Sequence, residues 1–278
     1  MSDQLRSRFR ATLHYDGAAF RGWQLQPEER TVQGVLERRL ARLLGASTRV
    51  RAAGRTDAGV HAVGQEIAFD APSGWSAAEL RRALNATVPG ELWVAQLSAT
   101  SDDFHPRFDA TGRRYEYVLG TGGETASPLL RGRLWPLGRD AEPTALNAAS
   151  SELVGERSFA GFAKSGQPGR GTRCRVEEAV WWRSRADRLH FRIVADRFLH
   201  RMVRYIVATL AEVATGRRQP SDIGALLAGE PGVRPPAPAP ACGLYLTGVR
   251  YAEGWNRPPR VPGFEAPAPP DAGRTPDE

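Results

Sequence analysis

The segment that decides the fold is "TVQGVLERRLARLLGASTRVRAAGRTDAGVHAVGQEIAFDA", residues 31–71. Its first part predicts an amphipathic helix, because apolar residues recur every three or four positions from Val32 to Leu44 and Thr31 is a suitable N-cap. Two strands are predicted next, "TRVRAAG" at 48–54 and "QEIAFDA" at 65–71. The stretch "AGRTDAGVHAVGQ", 53–65, joins them. The segment therefore predicts a helix, a strand, a polar connection containing glycine, and a second strand.

The flanking sequence extends this pattern in both directions. "RFRATLHY", residues 8–15, predicts a strand ahead of the helix. Ser76 and Glu79 form a capping box before the helical stretch "LRRALNATV". "ELWVAQLSA", residues 91–99, predicts a closing strand. The order β-α-β-β-α-β is that of the split, ferredoxin-like arrangement.

The second half of the chain repeats that order of elements without repeating the sequence. Strands are predicted at 113–120, 174–184, 188–196 and 243–251, and helices at 143–155, 199–216 and 221–229. We therefore predict an α+β protein of two tandem ferredoxin-like (βαββαβ) halves, with mainly antiparallel sheets and a central cleft. The predicted domains are residues 1–104 and 105–255.

Two proline-rich segments stand outside this scheme. One is the connector "PGVRPPAPAPA", residues 231–241, and the other is the polar tail, residues 256–278. Neither has enough apolar surface to order itself by burial, so we expect both to lack order of their own.

Composition and charge narrow the class of partner. The formal net charge is +7, and Lys164 is the only lysine, so the positive charge comes almost entirely from arginine. Arginine is suited to bidentate phosphate recognition and to stacking. The excess of positive charge favours a polyanionic partner such as a nucleic acid.

The sequence gives no support for a membrane, secreted, metal-binding or nucleotide-binding protein. No apolar run approaches the roughly 20 residues that span a bilayer, and the N-terminus lacks the apolar stretch of a signal peptide. Cys174 and Cys242 are far apart and lack metal-site spacing, so we expect two reduced thiols in a cytoplasmic protein. Walker and zinc-protease motifs are also absent, so we expect no nucleotide cofactor and no metal.

Asp57 is the acid that stands out. It lies in the polar connection, two residues after Arg55 and two before Gly59. A neighbouring cation favours the ionised carboxylate, which acts as a nucleophile or a base rather than as a general acid. Alternatively, Asp57 only ties the loop by accepting hydrogen bonds from backbone amides. The residues alone leave both interpretations open.

Aromatic and basic side chains occur together in two stretches. "YDGAAFRGWQLQP" follows the first strand, and "FHPRFDATGRRYEY" leads into the second half. Bases stack on aromatic faces and arginines bind phosphates, so these stretches indicate RNA contacts. The alternative is core aromatics beside solvated arginines, which we expect for several of them. The proposed phosphate contacts are Arg21, Arg55, Arg107, Arg113 and Arg114.

Five segments together resemble one known family. They are, in order, "YDGAAFRGWQLQ", "AGRTDAGVHAVGQ", "FHPRFDATGRRYEY", "DRFLHRMVR" and "PACGLYL". They are similar to the signature segments of the bacterial tRNA pseudouridine synthase A family, and the resemblance covers about residues 9 to 251. One departure is Arg201, where the family pattern has a second histidine.

The resemblance implies a fold and an activity. It implies the pseudouridine synthase fold and a homodimer that works without cofactor or metal. The implied reaction converts uridine to pseudouridine at positions 38, 39 and 40 of the anticodon stem-loop, so the implied partner is the anticodon arm of tRNA.

The resemblance also implies roles for individual residues. Asp57 matches the nucleophile, and Arg204 an arginine that pairs with the catalytic carboxylate. Tyr115 matches a tyrosine that contacts the base, and Leu244 an apolar residue of the uracil pocket. We assign Arg55, beside the nucleophile, to substrate binding. Whether Asp57 attacks the ribose C1′ or the uracil C6, or acts as a base at C2′, is left open.

Two functions of other classes compete with this interpretation. A non-catalytic RNA-binding protein would carry the aromatic strand signature of an RNA-recognition module, which no predicted strand shows. A hydrolase of a nucleoside or sugar would need a second carboxylate across the scissile bond. The next acid, Glu66, falls in a strand.

Overall fold

A computed structural model describes residues 6–164 and 171–256. The predicted tail beyond residue 256 lies outside these residues. The helices are α1 Val32–Leu44, α2 Ala77–Thr87, α3 Pro143–Ser150, α4 Met202–Ala214 and α5 Asp222–Ala228. The strands are β1 Arg6–Tyr15, β2 Arg51–Ala52, β3 His61–Pro72, β4 Leu92–Ala99, β5 Gly112–Gly120, β6 Trp135–Pro136, β7 Gly155–Ser158, β8 Arg173–Arg185, β9 Arg188–Ala195, β10 Leu244–Tyr251 and β11 Gly254–Trp255.

The described chain forms two compact units. Unit 1 comprises residues 6–114 and 245–256, and unit 2 comprises residues 115–164 and 171–244. β10 from Tyr245 onward lies in unit 1, where Tyr245 and Leu246 pair in parallel with His61 and Ala62 of β3. The domain bounds at residues 104 and 255 stay a prediction from the sequence.

Unit 1 contains the predicted β-α-β-β-α-β order. β1 pairs antiparallel with both β3 and β4, and β2 pairs antiparallel with β3. β2 and β10 share one edge of β3, because β1 occupies the other. α2 packs on β4 and against α1. The core of this unit is built from fully buried side chains, among them Phe9, Leu13, Leu36, Leu40, Ile67 and Leu80.

The helix boundaries of unit 1 follow the predicted caps. The Thr31 hydroxyl accepts a hydrogen bond from the Gly34 amide at 3.2 Å, and α1 ends at Gly45 with φ 69°. Ser76 and Glu79 form the reciprocal capping box of α2. The predictions for the starts of both helices are confirmed.

The two strands around the connection differ in length from the prediction. Only Arg51 and Ala52 of the predicted strand 48–54 pair, because Glu37 of α1 takes the Val50 amide at 2.9 Å. β3 begins at His61, four residues earlier than predicted. The connection is therefore the loop of residues 53–60.

Unit 2 has a sheet in the order β5-β9-β8-β7, with β6 on β5. β8 pairs antiparallel with β7 and β9. α3 packs on β8, where the Asn147 side chain donates to the Trp181 carbonyl at 2.9 Å and accepts from its amide at 2.7 Å. Antiparallel pairing dominates in both units, so the predicted α+β class is confirmed.

The proline-rich connector is held in place by α4. The Ala239 amide donates to the Arg204 carbonyl at 3.0 Å, and the Ala239 carbonyl accepts from Arg204 Nε at 2.7 Å. The Arg234 carbonyl accepts from Arg218 at 3.0 Å. The connector is thus ordered by residues outside it, which supply the hydrogen bonds that its own composition cannot. Along residues 6–164 and 171–256, no helix is both long and apolar enough to cross a bilayer.

Candidate active site

Asp57 lies in the loop of residues 53–60, between β2 and β3 of unit 1. The residue is half-buried, and Arg55 is exposed. Several hydrogen bonds fix the loop backbone. Trp23 N donates to Thr56 O at 3.0 Å, Val60 N to Asp57 O at 3.2 Å, and Gln65 Nε2 to Gly54 O at 2.8 Å. The loop thus has a defined shape on both sides of Asp57.

The residue before Asp57 is anchored in the core of unit 1. The hydroxyls of Thr56 and Tyr15 lie 2.8 Å apart, and both residues are buried. Burial raises the pKa of Tyr15 to about 12, so this phenol stays protonated near neutral pH and retains its O–H as a donor. The backbone entering Asp57 therefore has a buried side-chain anchor.

Two glycines allow the segment after β1 to lie against this loop. A Cβ at Gly17 would overlap the carbonyl oxygen of Val60. Gly22 has φ 92°, and a Cβ there would lie 2.9 Å from the Thr56 carbonyl oxygen. Only glycine permits both approaches without displacement. The stretch "YDGAAFRGWQ" indicated RNA contacts through its aromatic and basic residues, but the spacing of its glycines gave no signal of this contact.

His61 anchors the end of the loop. It is buried, its Nδ1 accepts from the Gly17 amide at 3.1 Å, and its ring stacks on Tyr245 at 4.6 Å. The Asp16 carboxylate lies 3.2 Å from the same nitrogen. In the structure, His61 links β3 to the segment after β1 and to β10.

Arg113 is committed to the protein backbone. Its guanidinium donates to the carbonyls of Ala53 at 3.1 Å, Arg107 at 2.7 Å and Ala110 at 3.1 Å. It thus joins residues 107–110 to the start of the Asp57 loop. The predicted phosphate contact by Arg113 would compete with these bonds and stays a prediction.

The other predicted phosphate contacts lie in different surroundings. Arg114 donates to the Thr247 hydroxyl at 3.2 Å, and its guanidinium lies 5.0 Å from the Trp255 ring centroid. Arg21 and Arg107 are exposed, and Arg21 lies 3.6 Å from the Glu29 carboxylate. Exposed pairs of this kind are weak, so Arg21 can change partners readily.

Tyr115, Arg204 and Leu244 belong to unit 2. Tyr115 is buried, and its ring meets the Phe198 ring edge-on, with the ring centroids 5.1 Å apart. Leu244 is buried and directly follows the 3-10 turn Ala241–Gly243. Arg204 bonds Ala239, just before that turn. Arg204 therefore holds the end of the connector that leads into Leu244.

The glycine of "PACGLYL" has a packing role in that turn. A Cβ at Gly243 would lie 2.6 Å from the Tyr117 ring, and the Tyr117 hydroxyl donates to the Pro240 carbonyl at 2.8 Å. The backbone that leads into Leu244 is thus held by Tyr117 and Arg204. In the described part of the chain, no three His, Cys, Asp or Glu residues are grouped so that they could hold a metal ion.

The sequence matches one family and many of its members. The pattern of the tRNA pseudouridine synthase family matches residues 11–109 and 149–252. Three relatives are each named tRNA pseudouridine synthase A. That of Geobacter sulfurreducens is 40% identical over 86% of this chain and 97% of its own. That of Latilactobacillus sakei is 39% identical over 88% of this chain and 98% of its own. That of Myxococcus xanthus is 37% identical over 96% and 99%.

Among solved structures, a chain from a Cbf5-Nop10-Gar1 complex aligns with a TM-score of 0.33 and 10% identity over 73% of this chain and 54% of that chain. Agreement this low says nothing about the family. The sequence matches identify it, since the family pattern covers most of both units and includes the Asp57 loop. The chain therefore belongs to the tRNA pseudouridine synthase family.

Proposed function

We propose that this enzyme converts uridine to pseudouridine at positions 38, 39 and 40 of the tRNA anticodon stem-loop, with Asp57 as the nucleophile. The observation that carries the proposal is the Asp57 loop. It places one half-buried carboxylate on a backbone fixed by Trp23, Gln65 and its own internal turn. A reaction that runs through a single carboxylate requires such positioning.

The reaction exchanges one bond of the base for another and needs no redox partner. The bond between uracil N1 and ribose C1′ breaks, the base turns, and a bond forms between uracil C5 and C1′. The hydrogen lost from C5 is balanced by one gained at N1. An ionised carboxylate can hold the pieces covalently between these steps.

Three first steps are compatible with one carboxylate. Asp57 attacks the ribose C1′, attacks the uracil C6, or removes the proton from C2′. Deuterium at the ribose C2′ separates the last from the other two. A primary isotope effect in single turnover identifies Asp57 as the base, and a ratio near one leaves attack at C1′ or C6.

The remaining site residues keep their proposed roles. The target base lies in a stem or loop and must leave its stack to react. Tyr115 stacks on the extruded uracil and takes the C5 proton, Leu244 lines the uracil pocket, and Arg204 holds the catalytic carboxylate ionised. Arg55 contacts the RNA beside Asp57. The solvent exposure of Arg55 supports its proposed role.

Transfer RNA labelled with tritium at uracil C5 tests the reaction class. Isomerisation releases tritium to water, because C5 exchanges its hydrogen for the bond to C1′. A hydrolase releases labelled uracil instead, and a non-catalytic binder retains the label on RNA. Mapping the product at positions 38, 39 and 40 tests the site. Activity after chelation, and a dimer mass by light scattering, test the predicted absence of a metal and the predicted homodimer.

Asp57→Asn should abolish isomerisation and leave tRNA affinity nearly unchanged. The amide is isosteric but is not a nucleophile, and loss of a nucleophile costs orders of magnitude in rate. Affinity is shared among many arginines. Asp102→Asn, at an exposed carboxylate of the same unit, is the matched control and should keep the wild-type rate. Wild-type turnover by Asp57→Asn would falsify the assignment.

A further inference from the structure

The turn after Phe104 presents an aromatic ring to solvent. Phe108 is 61% exposed, more than any other aromatic side chain in the described residues. Its neighbours in the same turn are anchored: Pro106 is buried, and its carbonyl accepts a hydrogen bond from the Tyr251 hydroxyl at 2.8 Å. The turn therefore has a buried base and an exposed aromatic tip.

Hydrogen bonds within the turn fix the orientation of this ring. His105 Nδ1 accepts from the amides of Arg107 at 3.1 Å and Phe108 at 3.3 Å, and Asp109 accepts from the His105 amide at 2.8 Å. The His105 ring lies 4.2 Å from the Phe108 ring, at 34° to it. Burial, with help from nearby arginines, lowers the pKa of His105, so Nδ1 is available as an acceptor near neutral pH.

Arg113 ties this turn to the Asp57 loop within unit 1. One of its terminal nitrogens donates both to Arg107 O in the turn and to Ala53 O at the start of the loop. The exposed ring and the proposed nucleophile are therefore attached to one hydrogen-bonded scaffold. A group that binds Phe108 is positioned relative to the Asp57 loop.

The charge beside the ring indicates what binds there. The Arg107 side chain is exposed, and its guanidinium lies 5.8 Å from the Phe108 ring centroid. An aromatic face next to an exposed cation binds single-stranded nucleic acid, where the ring stacks on a base and the cation meets a phosphate. The net charge of +7 also favours a negatively charged ligand.

We propose that Phe108 is a stacking platform for an unpaired base of the bound RNA other than the uridine that reacts. The proposal rests on the proposed function, because it takes the anticodon stem-loop as the ligand. Phe108 touches substrate and sets its register, while the chemical step belongs to Asp57.

The experiment uses the full chain and anticodon stem-loop RNAs that each carry one 2-aminopurine at a different loop position. Wild-type protein should change the fluorescence at one position through stacking, and Phe108→Ala should lose that change. Affinity should fall on the order of tenfold in Phe108→Ala and be restored by Phe108→Trp, which keeps an aromatic face.

Leu129→Ala is the control. Leu129 is 88% exposed and lies in unit 2, so it tests the loss of an exposed apolar side chain as such. Its RNA affinity and fluorescence should match wild type. Thermal unfolding of each variant checks that the fold is retained.

Several results would overturn the proposal. Wild-type affinity and fluorescence in Phe108→Ala would remove Phe108 from the RNA interface. A lower molecular mass of Phe108→Ala by light scattering, together with its weaker binding, would make this ring a contact between protein chains. The proposed function fails separately: wild-type protein would then form no pseudouridine, whatever Phe108→Ala does to RNA binding.

Discussion

Each unit contains a helix, a pair of antiparallel strands and a second helix in that order, but the units differ in the connection between the paired strands. In unit 1, β2 and β3 are joined by eight residues, 53–60, which include Asp57. In unit 2, β8 and β9 are joined by two residues, Ala186 and Asp187. The carbonyls of that turn accept hydrogen bonds from Arg183 at 2.8 Å and the Thr121 amide at 2.9 Å. The same position thus holds a loop in one unit and a closed hairpin in the other.

This difference shows that the connection between two paired strands can either close the sheet or present a side chain. A two-residue turn between β8 and β9 leaves little room for a projecting side chain and only closes the sheet. An eight-residue loop can present a carboxylate, but it needs external contacts to keep one shape. In unit 1 those contacts come from Trp23, Gln65, Thr56 and the close approach of Gly17.

The largest difference between the units is expected from a matched pair of substitutions, Gly17→Ala in unit 1 and Gly161→Ala in unit 2. Each new Cβ would overlap a backbone carbonyl oxygen, that of Val60 in unit 1 and that of Leu226 in unit 2. Both should lower the free energy of unfolding by about 1–3 kcal/mol. Only Gly17→Ala should also lower the single-turnover rate, on the order of 100-fold, because it displaces the Asp57 loop.

The measurements are urea unfolding and single-turnover isomerisation at a temperature where both variants are folded. Equal rate losses in the two variants would mean that overpacking in either unit disturbs the site, and the Asp57 loop would lose its special dependence on Gly17.

Arg204→Lys tests how unit 2 contributes. The substitution removes the Nε donor to Ala239 O, which costs about 1 kcal/mol of stability. We expect a rate loss of about tenfold, since the connector leads into Leu244. Arg218→Lys is the control, because Arg218 also bonds a connector carbonyl, that of Arg234. It should lose stability and keep its rate, and a wild-type rate in Arg204→Lys would remove Arg204 from the site.

Buried histidines should make both units acid-sensitive. His14 in unit 1 and His190 in unit 2 each have a pKa lowered to about 4, chiefly by burial. The unfolded chain takes up these protons near pH 6.5, so the associated stability is complete above pH 6.5 and is lost as pH falls towards 4. At pH 5 the loss should be about 2 kcal/mol for each histidine.

His14→Phe and His190→Phe test this for each unit separately. Phenylalanine retains a ring against Trp93 and Trp182, which these histidines contact. Each variant should lose less stability than wild type between pH 7 and pH 5 in urea unfolding. Unchanged pH slopes in both would mean that neither histidine carries the acid sensitivity.

The smallest effect concerns salt. Arg21→Ala and Arg107→Ala should each lower the slope of log affinity against log salt by about 0.7–0.9 if these exposed arginines bind phosphate as proposed. Arg113→Ala should lower the free energy of unfolding, since its guanidinium binds backbone carbonyls. The measurement is tRNA affinity at several salt concentrations, and an unchanged slope in Arg113→Ala would remove Arg113 from the predicted phosphate contacts.

Local features of the fold were readable from the sequence. Thr31 and the Ser76–Glu79 pair marked the starts of two helices, and apolar periodicity located the longer strands and helices, whereas the short strands β6, β7 and β11 were not predicted. These features are readable because caps and periodicity depend on residues within a few positions of each other. The family was also readable, because its segments are contiguous in the chain.

The arrangement around Asp57 was decided by contacts between residues distant in sequence. Glu37 limits β2 by taking the Val50 amide, Gly17 lies against Val60, and Arg113 joins Ala53 to the Phe108 turn. By itself, the sequence determined which residues form helices, strands and the loop that carries one carboxylate. The tertiary structure alone decided which side chains hold that loop, because such contacts depend on the packing of whole elements and leave no short-range pattern.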